Sequence, residues 1–213
     1  KKLLDLYCYR NLDRYVISDT YEEKKGFDTV LVGDLVFTGA NKTKPIEVPK
    51  VLRQEKYLNR KYDILLGKDI DSTVGKFVKD ADTLKSWNNL LYLSMNYDQK
   101  DKLKDDRHYV VSDRLYIKSE YRVFVYLDEI RSIQCYLGEC YGLFPDSNII
   151  FGMIHDYKKD KNKPKAYTLD ICVDIDGKTS ILEVHDFVSC GLYGFQDSII
   201  LDMLDAGYRW YTK

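Results

Sequence analysis

The stretch Tyr167–Phe187, YTLDICVDIDGKTSILEVHDF, constrains the fold more than any other part of the chain. Apolar and polar residues alternate on both sides of Asp176-Gly177. Asp-Gly between two such runs is a strong hairpin signal, because both central residues of a type I′ turn need positive φ. A two-residue loop there sets Ile175 opposite Lys178, Val173 opposite Ser180, Ile171 opposite Leu182 and Leu169 opposite Val184. That face is almost wholly apolar and is expected on a core. The other face pairs Cys172 with Ile181, Asp170 with Glu183, and Thr168 with His185. Two carboxylates directly opposite each other on one sheet face repel. A shared proton, a basic neighbour or a bound cation relieves that repulsion. The cation is favoured, because hard divalent ions are held by one or two carboxylates plus substrate phosphates. A solvated outer face with ordinary acidic residues is the alternative.

A chain of 213 residues can bury a real core, in one large domain or two small ones. A hydrophobic content of 45% and a charged content of 31% are those of an ordinary soluble protein. The formal net charge of −1 gives no basic excess to argue for general nucleic-acid binding. No apolar run approaches the ~20 residues of a membrane span. The first residues, KKLLDLYCYRNLDRY, carry charges inside their apolar stretch and lack a signal-peptide layout. The 5 cysteines form no paired framework, and no second Cys/His pair accompanies Cys135 and Cys140 at zinc-site spacing. Free thiols in a reducing cytoplasm are expected. The 19 tyrosines, 33 basic residues and low proline resemble the composition of AT-rich phage or low-GC bacterial genes. In that case the compartment is the host cytoplasm.

Taken in order, residues 1–68 read as a small α/β portion. FDTVLVGDLVFTG (Phe27 to Gly39) alternates and suggests strands, and VLRQEKYLNRKYDILL carries a helical stripe at Val51, Leu52, Leu58, Tyr62 and Leu65. Asp69 to Met95 reads as a loop, a short strand KFVK, and a helix capped by Asp80 or Asp82 with Leu84, Trp87, Leu91 and Met95 inward. Lys76 and Lys79 point to opposite faces of that strand. A strand-end lysine beside a loop is a reasonable phosphate ligand, although most such lysines are merely solvated. Tyr97 to Arg107 is a charged run expected as an exposed loop.

Tyr109 to Leu137 returns to β pattern, with a turn expected at Asp128-Glu129. That register puts Val123, Val125, Leu127 and Ile130 on one face. Arg122, Phe124 and Tyr126 lie on the other with Arg131, Ile133 and Cys135. Glu120 and Arg122 sit two apart on one strand face, where they address one ligand or pair with each other. Gly138 to Pro164 reads as loop and holds His155. A thiol pair of Cys190 with His185 is conceivable but lacks a third orienting group. Asp197 is expected to cap a last helix carrying Ile199, Ile200, Met203 and Leu204, with Gly207 as its terminator. No P-loop, GxGxxG, kinase catalytic loop, HExxH or GxSxG appears.

The order of four pieces is more telling than any one of them. GKFVKDADTLKSW, then SEYRVFV, then YTLDICVD, then ILEVHDF with SCGLYGF resemble the ATP-grasp fold, most closely its small divergent phage and bacterial members. The resemblance covers about residues 70 to 210. It implies an α+β protein of two α+β subdomains whose antiparallel sheets enclose a nucleotide cleft. The expected division is 1–68 as an N-terminal portion on the substrate side, 69–112 as the first subdomain and 113–213 as the second.

The same resemblance implies site residues. Lys79 matches the ATP lysine of an FVKP-like strand, with Asp80 where proline often follows. Ile117 to Glu120 matches the hinge that receives adenine and ribose, with Lys118 facing the nucleotide. Arg122 matches a basic position pointing at the phosphates or the acyl phosphate. Asp170 and Glu183 match the metal-binding acids, and His185 stands where the family's ExN pattern has asparagine. Imidazole is a poorer magnesium ligand than an amide oxygen. The GLY of Gly191 to Tyr193 resembles a loop near the substrate end. The implied cofactors are ATP and Mg2+, and the implied activity is two-step carboxylate–amine ligation on an unidentified acceptor. Two alternatives stand beside it: an ATP-binding regulatory or kinase-like module without ligase chemistry, and a non-enzymatic phage–host interaction protein.

Overall fold

The computed structural model describes residues 30–33, 38, 47–70, 76–82, 90–91, 103–139 and 141–212. Within them lie strands β1 (Tyr62–Leu66), β2 (Phe77–Asp80), β3 (Leu90–Leu91), β4 (His108–Ser112), β5 (Ile117–Tyr126), β6 (Glu129–Gly138), β7 (Ala166–Asp174) and β8 (Thr179–Asp186). The helices are α1 (Glu55–Leu58), α2 (Ser147–Tyr157) and α3 (Ile200–Tyr211). One four-stranded sheet has the order β1-β4-β2-β3 and the other β6-β5-β7-β8, both antiparallel throughout. The architecture is α+β, as expected. The first sheet takes β1 from before residue 68 and its other strands from after it.

The second sheet is the larger body. One face packs Tyr121, Val123, Leu169, Ile171, Ile181 and Val184 against α1 and α2. The opposite face is divided along its length. Phe124, with Phe187 and Phe195, buries one end under Ile200, Met203 and Leu204 of α3. Among the described residues no helix covers the other end, which faces the first sheet. That division leaves a polar strip of sheet beside an apolar one, and the strip carries Arg122, Asp170, Glu183 and His185.

The Asp176-Gly177 hairpin exists, but its loop is Ile175–Gly177 and not two residues. Gly177 N donates to Asp174 O at 3.0 Å, Asp174 N to Lys178 O at 3.1 Å, and only Gly177 of the loop has positive φ (79°). This is a type I turn followed by a left-handed residue, the usual three-residue hairpin. The Asp174 carboxylate stabilises it by accepting from Asp176 N and Lys178 N at 3.0 and 2.8 Å. The extra loop residue shifts the near-turn register: Ile171 faces Ile181 and Cys172 faces Ser180. A bulge between Asp170 and Ile171 then restores the expected pairing, with Asp170 opposite Glu183 and Thr168 opposite His185. Ile181 therefore joins the core, and Leu182 is released from it.

The β5–β6 turn also differs from expectation. Leu127 and Asp128 have φ of 52° and 68°, so they form the tight turn and Tyr126 pairs with Glu129. Leu127 is thus an exposed turn residue instead of a core one. A second bulge, between Phe124 and Val125, puts Ile133 opposite Val123 and turns Cys135 toward the core.

Four further expectations change. The helical stripe after Lys50 is broken: a 3-10 turn and the short α1 end at Asn59 in the left-handed conformation (φ 49°), and YDILL runs on as β1. Leu90 and Leu91 pair with β2 as β3 in place of helix, while the remainder of the expected helix lies outside the described residues, as does most of Phe27 to Gly39. The segment read as loop contains α2, capped by Asp146, which accepts from Asn148 N at 2.8 Å. Gly207 lies inside α3 rather than after it, because a Cβ there meets the Phe187 backbone at 3.2 Å.

Candidate functional site

A cavity of about 430 Å³ lies between the two sheets. Phe77, Lys79 and Val110 line it from the first sheet, and Glu120, Tyr136, Asp170, Leu182 and Glu183 from the second. The connector Asp113–Ile117 closes one end, where the chain passes from β4 to β5. Leu182 reaches this space because the bulge turned it out of the core; bulges near sites re-aim side chains in this way.

Asp170 sits on β7 between neighbours on both sides. Arg122 of β5 is its register partner and binds it bidentately, Nε to Oδ1 at 2.7 Å and Nη2 to Oδ2 at 2.6 Å. Both side chains are buried, at 6% and 2% exposure. Burial works against the guanidinium charge, but the carboxylate more than compensates and holds the Arg122 pKa above its ordinary value. The remaining terminal nitrogen, Nη1, donates to Gly191 O at 2.9 Å, which ties the Gly191–Tyr193 loop to the site. Tyr193 stacks on Tyr136 with centroids 4.8 Å apart, and Arg122 lies 5.0 and 5.6 Å from the two rings. The Tyr136 hydroxyl stands between two acids, hydrogen-bonded to Glu120 and 3.5 Å from Asp170 Oδ2. Burial first, then those carboxylates, push its pKa up, so it remains a donor.

Glu183, across from Asp170, is held by two basic side chains. Lys79 of the first sheet donates to Oε2, and His185 Nε2 lies 2.7 Å from Oε1. Burial raises the Glu183 pKa, but His185 and then Lys79 outweigh it and hold the carboxyl well below the usual range. His185 is shifted upward: burial opposes its charge, while Glu183 and Asp170 favour it. The Lys79–Glu183 pair joins the two sheets across the cavity. Lys76, on the other side of β2, pairs instead with Asp113 of the connector.

Of the residues named from sequence, Lys79, Glu120, Arg122, Asp170, Glu183 and His185 come together. Lys118 does not join them: its Nζ lies 3.4 Å from Glu139, and it is absent from the cavity wall. The register explains this, since the shift between Ile117 and Ser119 changes the facing of β5 just where Lys118 sits. Burial pushes the Cys190 thiol up to about 12, which works against its use as a thiolate. His155 is exposed on α2, which packs on the opposite face of the second sheet from the site residues. Tyr193 belongs to the GLY loop marked in the sequence, whereas Tyr136 and Leu182 were not singled out for the site. Tyr136 shares the strand alternation of β6 and was legible in principle, whereas Leu182 depends on the bulge.

Ligand atoms of Asp170, Glu183 and His185 lie within 4.8 Å of one another. This donor set fits a divalent cation: two carboxylates offer hard oxygens, and Asp170 Oδ1 and both Glu183 oxygens keep a second lone pair beyond their present hydrogen bonds. Imidazole contributes only when it is neutral.

A family model for an ATP-grasp domain, R2K clade family 2, matches residues 57–203. The sequence has no match among curated proteins. Among solved structures, the fold is similar to ATP-grasp ligase PsnB complexed with minimal precursor (16% identity, TM-score 0.51, covering 80% of this chain and 62% of that one). It is also similar to D-alanine–D-alanine ligase from Bacillus anthracis complexed with ATP (16% identity, TM-score 0.52, 76% and 63%). The chain thus spans less than two thirds of either enzyme, and at such identity the likeness establishes the fold.

Proposed function

The chain belongs to the ATP-grasp domain family, R2K clade family 2, and from that premise we propose that it is an ATP-dependent carboxylate–amine ligase working with Mg2+. The observation that carries this reading is the convergence of Lys79, Asp170 and Glu183 in one cavity between the sheets, with Arg122 clamped on Asp170 directly behind its wall. Solved ATP-grasp proteins of the same fold include a ligase complexed with ATP and one complexed with Mg and ADP.

In this reading Asp170 and Glu183 hold the metal, which when bound neutralises phosphate oxygens. Lys79 exchanges Glu183 for the triphosphate, so the pair that joins the sheets in the free protein becomes a contact to substrate. Arg122 stays clamped by Asp170 and places fixed positive charge beside the transferring group. Such preorganised charge carries most phosphoryl-transfer catalysis. Glu120 faces the ribose, and Tyr136 holds Glu120 and Asp170 in place. A carboxylate oxygen of one substrate attacks the γ-phosphorus, releasing ADP and forming an acyl phosphate. An amine then attacks the acyl carbon, phosphate departs, and the ammonium loses a proton to give the amide. No side-chain nucleophile is needed in this two-step chemistry.

The acceptor is a small molecule, a peptide or a protein. The test is ADP release with Mg-ATP across pools of carboxylates and amines, followed by mass analysis of the product. ADP formed only with one carboxylate and one amine together supports ligation. Nucleotide binding without turnover on any pair overturns it in favour of an ATP-binding module, the reading that His185 in the family's asparagine position favours. Absence of any ATP-dependent thermal shift overturns both and leaves the interaction protein.

A further inference from the structure

Arg60 lies in the segment between α1 and β1, outside every motif used above. Its Nη1 donates to Leu58 O at 3.0 Å and to Ile181 O at 2.8 Å. Ile181 belongs to β8, the edge strand of the second sheet, so the guanidinium is anchored to a fixed backbone. The next residue back, Asn59, binds the same strand through Thr179 O at 2.9 Å and Ser180 Oγ at 3.0 Å. Both residues satisfy edge carbonyls that would otherwise lack partners.

The two differ in what they leave over. Asn59 is exposed, whereas Arg60 is partly buried and lines the cavity between the sheets. No carboxylate lies within salt-bridge distance of Arg60 among the described residues, and its Nε and Nη2 have no hydrogen-bond partner there. Burial accordingly pulls its pKa down. The next residue, Lys61, is tied to Asp113 of the connector, its N donating to Asp113 Oδ2 at 3.2 Å and its O accepting from Asp113 N at 3.1 Å, so Arg60 stands at the connector end of the cavity. A guanidinium held in place with donors to spare at a cavity wall is a ready-made site for acceptor atoms, since buried polar groups otherwise find partners.

We propose that Arg60 is a nucleotide-positioning residue whose Nε and Nη2 donate to acceptor atoms of the nucleoside half of the bound nucleotide, at the connector end of the cleft. This rests on the ATP-binding reading above. The connector end is separated from the carboxylate pair, so the triphosphate belongs with Lys79 and Arg122 and the nucleoside with Arg60. The N-terminal segment thereby contributes to nucleotide selection as well as to packing.

The test measures dissociation constants of Mg-ATP and of magnesium tripolyphosphate for the wild type and Arg60→Met. The variant is expected to weaken ATP by about tenfold or more, the usual loss of a charged hydrogen bond, and to leave tripolyphosphate unchanged. Asn59→Gly removes the neighbouring anchor while keeping the left-handed backbone, and is expected to lower the melting temperature without changing ATP affinity. Arg60→Lys keeps a charge near Ile181 O but loses the spare donors; it too is expected to weaken ATP, and serves if the methionine variant fails to fold. Equal weakening of ATP and tripolyphosphate by either Arg60 variant overturns the assignment in favour of a phosphate contact. Unchanged ATP affinity in the Arg60 variants, or equal loss in Asn59→Gly, reduces Arg60 to a structural anchor. A wild type that binds tripolyphosphate but not ATP sinks the inference alone. A wild type that binds neither sinks the ATP reading with it.

Discussion

The two acids of the site are held in unlike ways, and their substitutions should therefore behave differently. Glu183 is partly exposed and shares its charge with Lys79 and His185. Glu183→Gln is expected to abolish the Mg-ATP thermal shift while the free protein keeps most of its stability; a retained shift in differential scanning fluorimetry removes Glu183 from the metal site. Among the described residues, Asp170 is the sole carboxylate bound to the buried Arg122 guanidinium. Asp170→Asn leaves that charge uncompensated, a loss of about 3–5 kcal/mol for a buried pair. Urea unfolding should show that loss before any ligand is added. His185→Asn replaces a basic nitrogen with an amide oxygen, the better ligand for a hard ion. It is expected to tighten magnesium-dependent ADP binding several-fold by calorimetry, and an unchanged affinity takes position 185 out of the metal shell.

At the scale of elements, alternation identified every strand of the second sheet, because period-two burial leaves a plain trace in sequence. It failed where one residue was added or removed. The Ile175–Gly177 loop and the compensating bulge at Leu182 cancel by the time the chain reaches Asp170 and Glu183, so the carboxylate pairing was read correctly through a wrong turn. Sequence pattern alone carries no marker for a bulge, and Leu182 is as apolar as the core residues it was grouped with. α2 was missed because its polar neighbours and flanking glycines read as loop, although Ile150, Met153, Ile154 and Tyr157 are spaced for one buried face. What fixes α2 against α1 is Asp156, which accepts from Gln54 (3.1 Å), Lys56 (3.2 Å), Tyr57 (2.8 Å) and Lys159 (2.6 Å). Lys159, then Tyr57 and Lys56, hold its carboxyl well below the usual range. A carboxyl depressed in the folded state adds stability above its unfolded pKa and loses it as pH falls through the folded one. Asp156→Asn is therefore expected to lower stability at pH 7 and to flatten the acid limb below about pH 4. A variant whose acid limb matches the wild type removes Asp156 from that role.

For the whole molecule, the cleft depends on two sheets that meet across a short connector. In the free protein Lys79–Glu183 spans the gap and Lys76–Asp113 holds the connector. A nucleotide that replaces the first contact should bridge both sheets. Hydrogen exchange with Mg-ATP is expected to slow at β2, β8 and residues 113–117 together. Protection confined to one sheet means that the ligand binds elsewhere. No helix of the described residues is long and apolar enough to cross a membrane.

The sequence by itself determined the strand alternation, the order of the motifs and the pairing of Asp170 with Glu183. These follow from local periodicity and from residues within one hairpin. Only the tertiary structure decided which cations meet those carboxylates. Lys79 reaches Glu183 from 104 positions away and Arg122 reaches Asp170 from 48. Such contacts depend on how two sheets and their bulges are set in space, which no short-range pattern encodes. The same reason explains Arg60, whose value lies wholly in the distant strand it is anchored to and the cavity it faces.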